Sequence, residues 1–362
     1  MEQSHRRLIH DSCSMLHDMR ILYGITGEGL GHSSRSKEMI LHLQKQGHEV
    51  LGICYGLACP VIEKICDTVE VEGVRLKYGK KGLSLMKTVK QNVPFVFSNI
   101  KNSVRIDSRI KKFKPDIAIT DYEPVTALIA YKFGLPLISI DNQHSLTHTK
   151  VSVPRKYYKD YLVAKATTIM NPPKADAYVI LSFAKLKPTR KNAFVVAPIL
   201  RQLILDKKPK KTRNILVYLN QPNDELLQIF SELPEQFIVY GYERNLHAGN
   251  VTYKKKGDWF VDDLAECKAV IATSGFSLLS EALYWDKPFF ALPLKGQFEQ
   301  TVNAIFLRDA EFGDYSDEPD KERINRFLEN LGTYEKKLKR FKIDPTEAFR
   351  VMDKLLKKFI KK

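Results

Sequence analysis

Residues 269–303 hold the groups whose types and spacing could act together on one ligand. The apolar run Ala269–Ala272 reads as a short buried strand, broken by Thr273, Ser274 and Gly275 before a helical pattern that begins at Phe276. A small turn that opens a helix leaves backbone N–H groups without intrahelical partners, and the positive end of the helix dipole favours an anion there. Gly275 lets a diphosphate approach the backbone of Phe276, while Ser274 and Ser277 can add hydroxyl donors. Glu281 follows about two turns along the same helix, so its carboxylate is expected to face a cleft and accept from ribose hydroxyls. A second strand, Pro288–Pro293, leads to Glu299 and Gln300 at the start of another helix, an acceptor and an amide suited to the hydroxyls of a hexose. A buried strand-helix-strand unit would explain the apolar residues, but not these three polar ones together.

A second set lies near the amino terminus, where the strand Ile21–Ile25 runs into Thr26-Gly27-Glu28-Gly29-Leu30-Gly31-His32-Ser33-Ser34-Arg35. The glycines invite a dinucleotide reading, which fails because the next strand, Val50–Tyr55, ends without an acidic residue to grip an adenosine ribose. His32 would open the helix facing the cleft, and imidazole is the side chain that exchanges protons near neutral pH, as a general base must. Asp121, after the strand Asp116–Thr120 of the same sheet, is the carboxylate placed to orient it, with Glu123 as reserve base. Asn142 and His144 follow the next strand at the same edge and, with Gly29 and Gly31, could meet the hydroxyls of a second substrate. A helix cap for His32 and a turn for Asp121 are the structural alternatives.

The order Thr-Ser-Gly, five residues, Glu281, a proline-bounded strand, then Glu299-Gln300-x-x-Asn303 resembles the donor segment of the GT-B glycosyltransferases. These include the UDP-sugar-dependent transferases of natural products and the enzyme that adds N-acetylglucosamine to lipid I. The resemblance implies that Ser274, Gly275 and Phe276 hold the diphosphate, Glu281 the ribose, and Glu299 with Gln300 the sugar. His32 and Asp121 resemble the His–Asp dyad of inverting members, in which the His deprotonates the acceptor hydroxyl and the Asp holds the imidazolium. The implied activity is inverting transfer of a hexose from a nucleotide-sugar, UDP-linked, to an acceptor hydroxyl on a lipid or lipid-linked glycan. No cofactor and no metal are implied, since no Asp-x-Asp pair occurs. Two departures stand out: plant members carry a His where this chain has Thr273, and Asn220-Gln221-Pro222-Asn223 lacks the glycines of the lipid I enzyme.

The elements that must position these residues alternate short apolar strands with helical stretches, which implies parallel sheets covered on both faces. The expected fold is α/β, two doubly wound Rossmann-like domains facing across a cleft. The 362 residues divide into an extension (1–18, expected to be disordered), an acceptor domain (19–197), an exposed linker (198–213), a nucleotide-sugar domain (214–344) and a terminal helix (345–362). That helix sets Phe349, Met352, Leu355, Leu356 and Phe359 on one face, and the resemblance implies that it crosses back to the first domain.

Hydrophobic residues make up 44% and charged residues 28%, a globular composition with no stretch of the roughly 18 apolar residues that a spanning helix needs. Five cysteines without a Cys-x-x-Cys pair, and no apolar leader, suggest a reduced cytoplasmic compartment without disulfides. The formal net charge of +16 attracts anionic partners. The stretch 80–114, where lysines accompany Leu85, Phe95 and Phe97, suits the inner face of an anionic membrane better than nucleic acid, because neither stacking platforms nor a reading helix are evident. Two alternatives carry the same features less fully: a nucleotide-sugar 2-epimerase, and a non-catalytic module that binds a glycan or nucleic acid.

Overall fold

The computed structural model describes residues 18–73, 78–79, 82–83, 106–172, 174–255, 257 and 259–360. The extension, apart from Asp18, and most of the basic stretch 80–114 lie outside them.

The first domain runs β1 (Arg20–Ile25), α1 (Leu30–Lys45), β2 (Glu49–Cys54), β3 (Asp67–Glu70), β4 (Ile117–Asp121), α2 (Pro124–Phe133), β5 (Leu137–Asp141), α3 (Tyr158–Ile169), β6 (Ala177–Leu181) and β7 (Ala193–Val196). Its strands lie in the order β3-β2-β1-β4-β5-β6-β7, all parallel. Every residue of β4, β5 and β6 is buried, as strands covered by helices on both faces require.

The second domain follows with β8 (Asn214–Tyr218), α4 (Asp224–Ser231), β9 (Gln236–Tyr240), β10 (Leu246–Ala248), β11 (Val251–Lys254), α5 (Trp259–Glu266), β12 (Ala269–Ala272), α6 (Phe276–Tyr284), β13 (Phe289–Ala291), α7 (Phe298–Asp309) and β14 (Gly313–Tyr315). The order is β10-β11-β9-β8-β12-β13-β14, and only β10 runs antiparallel to its neighbour. Strand order reverses between β1 and β4 in one sheet and between β8 and β12 in the other. Ligands of doubly wound sheets bind outside the carboxyl ends of the strands at such points. The registers there pair Ile25 with Asp121, and Tyr218 with Ala272.

Helices α8 (Lys321–Glu329), α9 (Leu331–Arg340) and α10 (Glu347–Ile360) complete the chain. On α10, Met352, Leu355 and Leu356 are buried, each contributing about 1.5–3 kcal/mol of apolar transfer. Polar ties fix its position on the first domain. Glu347 Oε2 accepts from the Ala197 N–H at 2.7 Å, Asp353 lies 2.8 Å from His42 Nε2 of α1, and Phe349 stacks on His42.

Two expectations change. The linker is only partly exposed, because Ile199, Leu200 and Ile204 are buried and a short helix forms over Gln202–Leu205. A disulfide joins Cys54 and Cys59, where none was expected: the turn after β2 brings their Cα atoms to 5.3 Å, inside the range a disulfide needs.

Candidate active site

The loop after β1 and the end of β4 are neighbours because their strands are. Gly27 makes the loop possible, since a Cβ there would come 1.8 Å from the Tyr55 carbonyl oxygen. Helix α1 opens at Leu30 with no side-chain cap, and His32 projects from its first turn. Its Nδ1 lies 2.7 Å from Asp121 Oδ1, with the imidazole 15% and the carboxylate 1% exposed.

Asp121 sits in a buried charge network. Arg35 meets it through Nε to Oδ2 at 2.8 Å and Nη2 to Oδ1 at 2.5 Å, and Ser36 donates to Oδ2 at 2.9 Å. Burial alone would raise the carboxyl, but the Arg35 guanidinium and the His32 imidazole outweigh it and hold the group well below the usual carboxylate range. Nδ1 of His32 also lies 2.8 Å from Arg35 Nη2, which can only donate; the ionised Asp121 carboxylate accepts the Nδ1 proton in the tautomer that leaves the Nε2 lone pair free. The Gln143 amide nitrogen, 3.3 Å from Nε2, is a donor and fits that tautomer. Tyr122 turns the chain sharply after Asp121, at a φ of 57° that few side chains adopt.

The network crosses to the second domain. Arg35 Nη1 donates to Asn142 Oδ1 at 2.8 Å; Asn142 Nδ2 and Gln143 Nε2 donate to the two oxygens of Glu299 at 2.9 and 3.0 Å. Opposite α1, helix α6 starts at Phe276 after Gly275, again without a side-chain cap or an acidic residue in its first turn. Its N–H groups therefore remain available to an anion. A Cβ on Gly31 would lie 2.9 Å from Ser277 Oγ, and the Arg35 guanidinium sits 5.9 Å from the Phe276 ring. Two uncapped helix starts thus face one another.

Other candidates are placed differently. Glu123 does not reach the cleft: its carboxylate caps α2, accepting from the N–H groups of Val125 and Thr126 at 2.8 and 2.7 Å, and burial pushes it up to about 7. His144 is also turned inward, with Nδ1 2.7 Å from Asp141 and its ring packed near His148 and Tyr178, so it cannot meet an acceptor there. Asn142 is occupied by Arg35 and Glu299, and Gly29 is open on its Cβ side.

In the second domain the Ser274 hydroxyl donates to the Gln300 carbonyl at 2.8 Å, and Gln300 Oε1 accepts from Leu294 N–H while its Nε2 donates to Gln297. These two side chains shape the loop rather than line the cleft. The Glu281 carboxylate is buried and receives Arg201 at 2.6 and 2.7 Å. Arg35 and Gln143 carry contacts that the sequence reading assigned to neither. Arg35 was findable, because it lies three residues after His32 on one helix face. Arg201, 80 residues from its partner, carried no such signal.

A cavity of about 940 Å³ lies to one side, between α3 and the loops after β13 and β14, lined by Lys156, Tyr157, Arg308 and Asp317 among others. It includes neither His32 nor Asp121. Among the described residues no cluster of His, Cys, Asp and Glu could hold a metal ion.

Known proteins share this organisation. An uncharacterised glycosyltransferase of Methanosarcina acetivorans is 25% identical over 333 residues, 82% of this chain and 85% of that one. The structure of the kitacinnamycin glycotransferase superposes with a TM-score of 0.70 at 14% identity, covering 94% of this chain and 99% of its own. MurG of Acinetobacter baumannii superposes with a TM-score of 0.61 at 15% identity, covering 94% and 99%. These superpositions show the two-domain GT-B fold. The profile of glycosyl transferase family 1 matches residues 19–332, so the chain belongs to that family and is an enzyme that transfers sugar.

Proposed function

We propose that this enzyme moves a hexose from a UDP-linked donor to an acceptor hydroxyl with inversion at the anomeric carbon. The observation that carries the reading is the orientation of His32, with Nδ1 anchored on buried Asp121 and Nε2 turned toward the Gln143 amide, which donates to Glu299 at the start of α7. The acceptor hydroxyl gives its proton to Nε2 and its oxygen attacks the anomeric carbon in line. The bond from that carbon to the diphosphate oxygen breaks, and the electron pair leaves toward the N–H groups that open α6 at Gly275 and Phe276.

Residues 19–197 supply the acceptor side and 214–344 the donor side. Glu281 takes the ribose: each carboxylate oxygen has a second lone pair beyond the one given to Arg201. Glu299 takes the hexose, while Gln300 and Ser274 hold the loop that presents it. NMR of the hexose first released from UDP-α-glucose distinguishes the mechanism: the β anomer is expected, and the α anomer would contradict inversion.

The acceptor is placed on a lipid or lipid-linked glycan at the inner face of a membrane. Support comes from the net charge of +16, since each basic residue near an anionic surface is worth about 1 kcal/mol. Among the described residues no helix is long and apolar enough to cross a membrane, so contact would be peripheral. Cosedimentation with anionic but not neutral vesicles is expected at physiological salt. Binding to DNA or RNA with no such preference would overturn this placement.

A further inference from the structure

Gln143 makes contacts that the transfer step leaves unexplained. Its amide nitrogen lies 3.3 Å from His32 Nε2 and 3.0 Å from Glu299 Oε2. Its amide oxygen is buried with no hydrogen-bond partner among the described residues. An amide nitrogen carries two N–H groups. One is directed at the lone pair that must take the acceptor's proton, and the other at the carboxylate that would meet the hexose.

We infer that Gln143 guards the base: its amide stands where the attacking hydroxyl must stand, and it leaves only when an acceptor displaces it. The inference rests on reading His32 as the base. It makes Gln143 a positioning residue that sets the ratio of transfer to hydrolysis. The step it suppresses is attack by water on the anomeric carbon of a donor bound alone. There the water proton would pass to His32 Nε2, the carbon–oxygen bond to the diphosphate would break with its electron pair going to phosphate, and free hexose and UDP would result.

Competition explains the selectivity. Gln143 is tethered beside Nε2, so a lone water must displace an N–H held at high effective concentration. An acceptor hydroxyl replaces that N–H one for one, and contacts made by the rest of the acceptor supply the free energy of displacement. Asn142 fixes the loop on the other side, between Arg35 and Glu299. The unpartnered Gln143 oxygen gives up no hydrogen bond when the side chain swings out, so departure costs only the two donated ones.

Gln143→Leu removes both N–H groups in a branched side chain one heavy atom shorter. With UDP-glucose and UDP-N-acetylglucosamine as probes and no acceptor, UDP release by this variant is expected to rise about tenfold over wild type. Adding His32→Ala should return it to the level of His32→Ala alone, and the KM for acceptor should fall. A merely structural role would lower hydrolysis and transfer together, so donor-only release at or below the wild-type rate would overturn the inference. If His32→Ala alone leaves release and transfer unchanged, the base assignment itself has failed, which separates the two ideas. A second readout needs no donor. In ligand-free protein labelled with ¹⁵N-histidine, the His32 Nε2 resonance should move toward that of an unbonded lone pair in Gln143→Leu; an unchanged resonance also overturns the inference.

Discussion

Ile25 with Asp121 in the first sheet, and Tyr218 with Ala272 in the second, occupy matching places at the two points where strand order reverses. What each pair presents to the cleft differs in kind. The first is followed by side chains tied into a buried charge network of His32, Arg35, Ser36 and Asp121. The second is followed by a bare helix start at Gly275, with neighbouring side chains turned into the loop. Proton transfer needs a group of fixed tautomer and position, which a protein obtains by surrounding it with buried partners. An anion needs only oriented N–H groups, which backbone supplies. On the proposed reading the same architecture serves two tasks, one written in side chains and the other in main chain.

The largest expected effect breaks the side-chain half. Asp121→Asn leaves the Arg35 guanidinium, itself only 5% exposed, without its ionic partner. Loss of one member of a buried pair costs about 3–5 kcal/mol, which urea denaturation at neutral pH would register. A loss below about 1 kcal/mol, the range of exposed pairs, would mean that the network is not the rigid support described here.

A smaller effect separates two carboxylates that stand two residues apart. The Asp121 carboxyl is held low, so its contribution to stability is present above about 3.8, the ordinary value, and is lost as pH falls. The Glu123 carboxyl is raised from 4.5 to about 7 by burial, so its contribution is full below 4.5 and declines as pH rises toward 7. Glu123→Gln should flatten the stability profile between those values, removing a decline of about 3 kcal/mol. A profile of unchanged slope in the variant would contradict the burial argument.

The smallest effect tests the main-chain half. Gly275 has φ −63°, and a Cβ there would meet nothing within 4 Å, so Gly275→Ala should change stability by less than about 0.5 kcal/mol. If a diphosphate packs against that backbone, the same methyl should weaken UDP binding several-fold in calorimetry. Unchanged affinity would move the diphosphate elsewhere.

The sequence made the interior strands legible because both faces are buried, so runs such as Ile117–Thr120 and Ala269–Ala272 stand out. Short edge strands did not stand out: Asp67–Glu70 is charged at both ends, and Gly313–Tyr315 offers no apolar run. Within the site, His32 and Asp121 could be paired because each follows a strand of one sheet, and sheet adjacency determines what the loops can touch. Glu123 and His144 lie at the same edge, but the direction a side chain takes after a sharp turn depends on the backbone, here on the left-handed Tyr122 and on the Asp141 carboxylate that captures His144. Residue type carries no record of that direction. Arg201 gave no signal because its partner lies 80 residues away, and Gln143, legible only as part of the polar loop Asp141–His144, meets Glu299 156 residues away.

His32→Ala tests the central claim most directly, because it removes the proposed base while leaving the main chain at Gly275 and Phe276 intact. The account predicts that UDP binding measured by calorimetry stays at the wild-type value while transfer falls by about 10²- to 10⁴-fold. Transfer at the wild-type rate in that variant would contradict it.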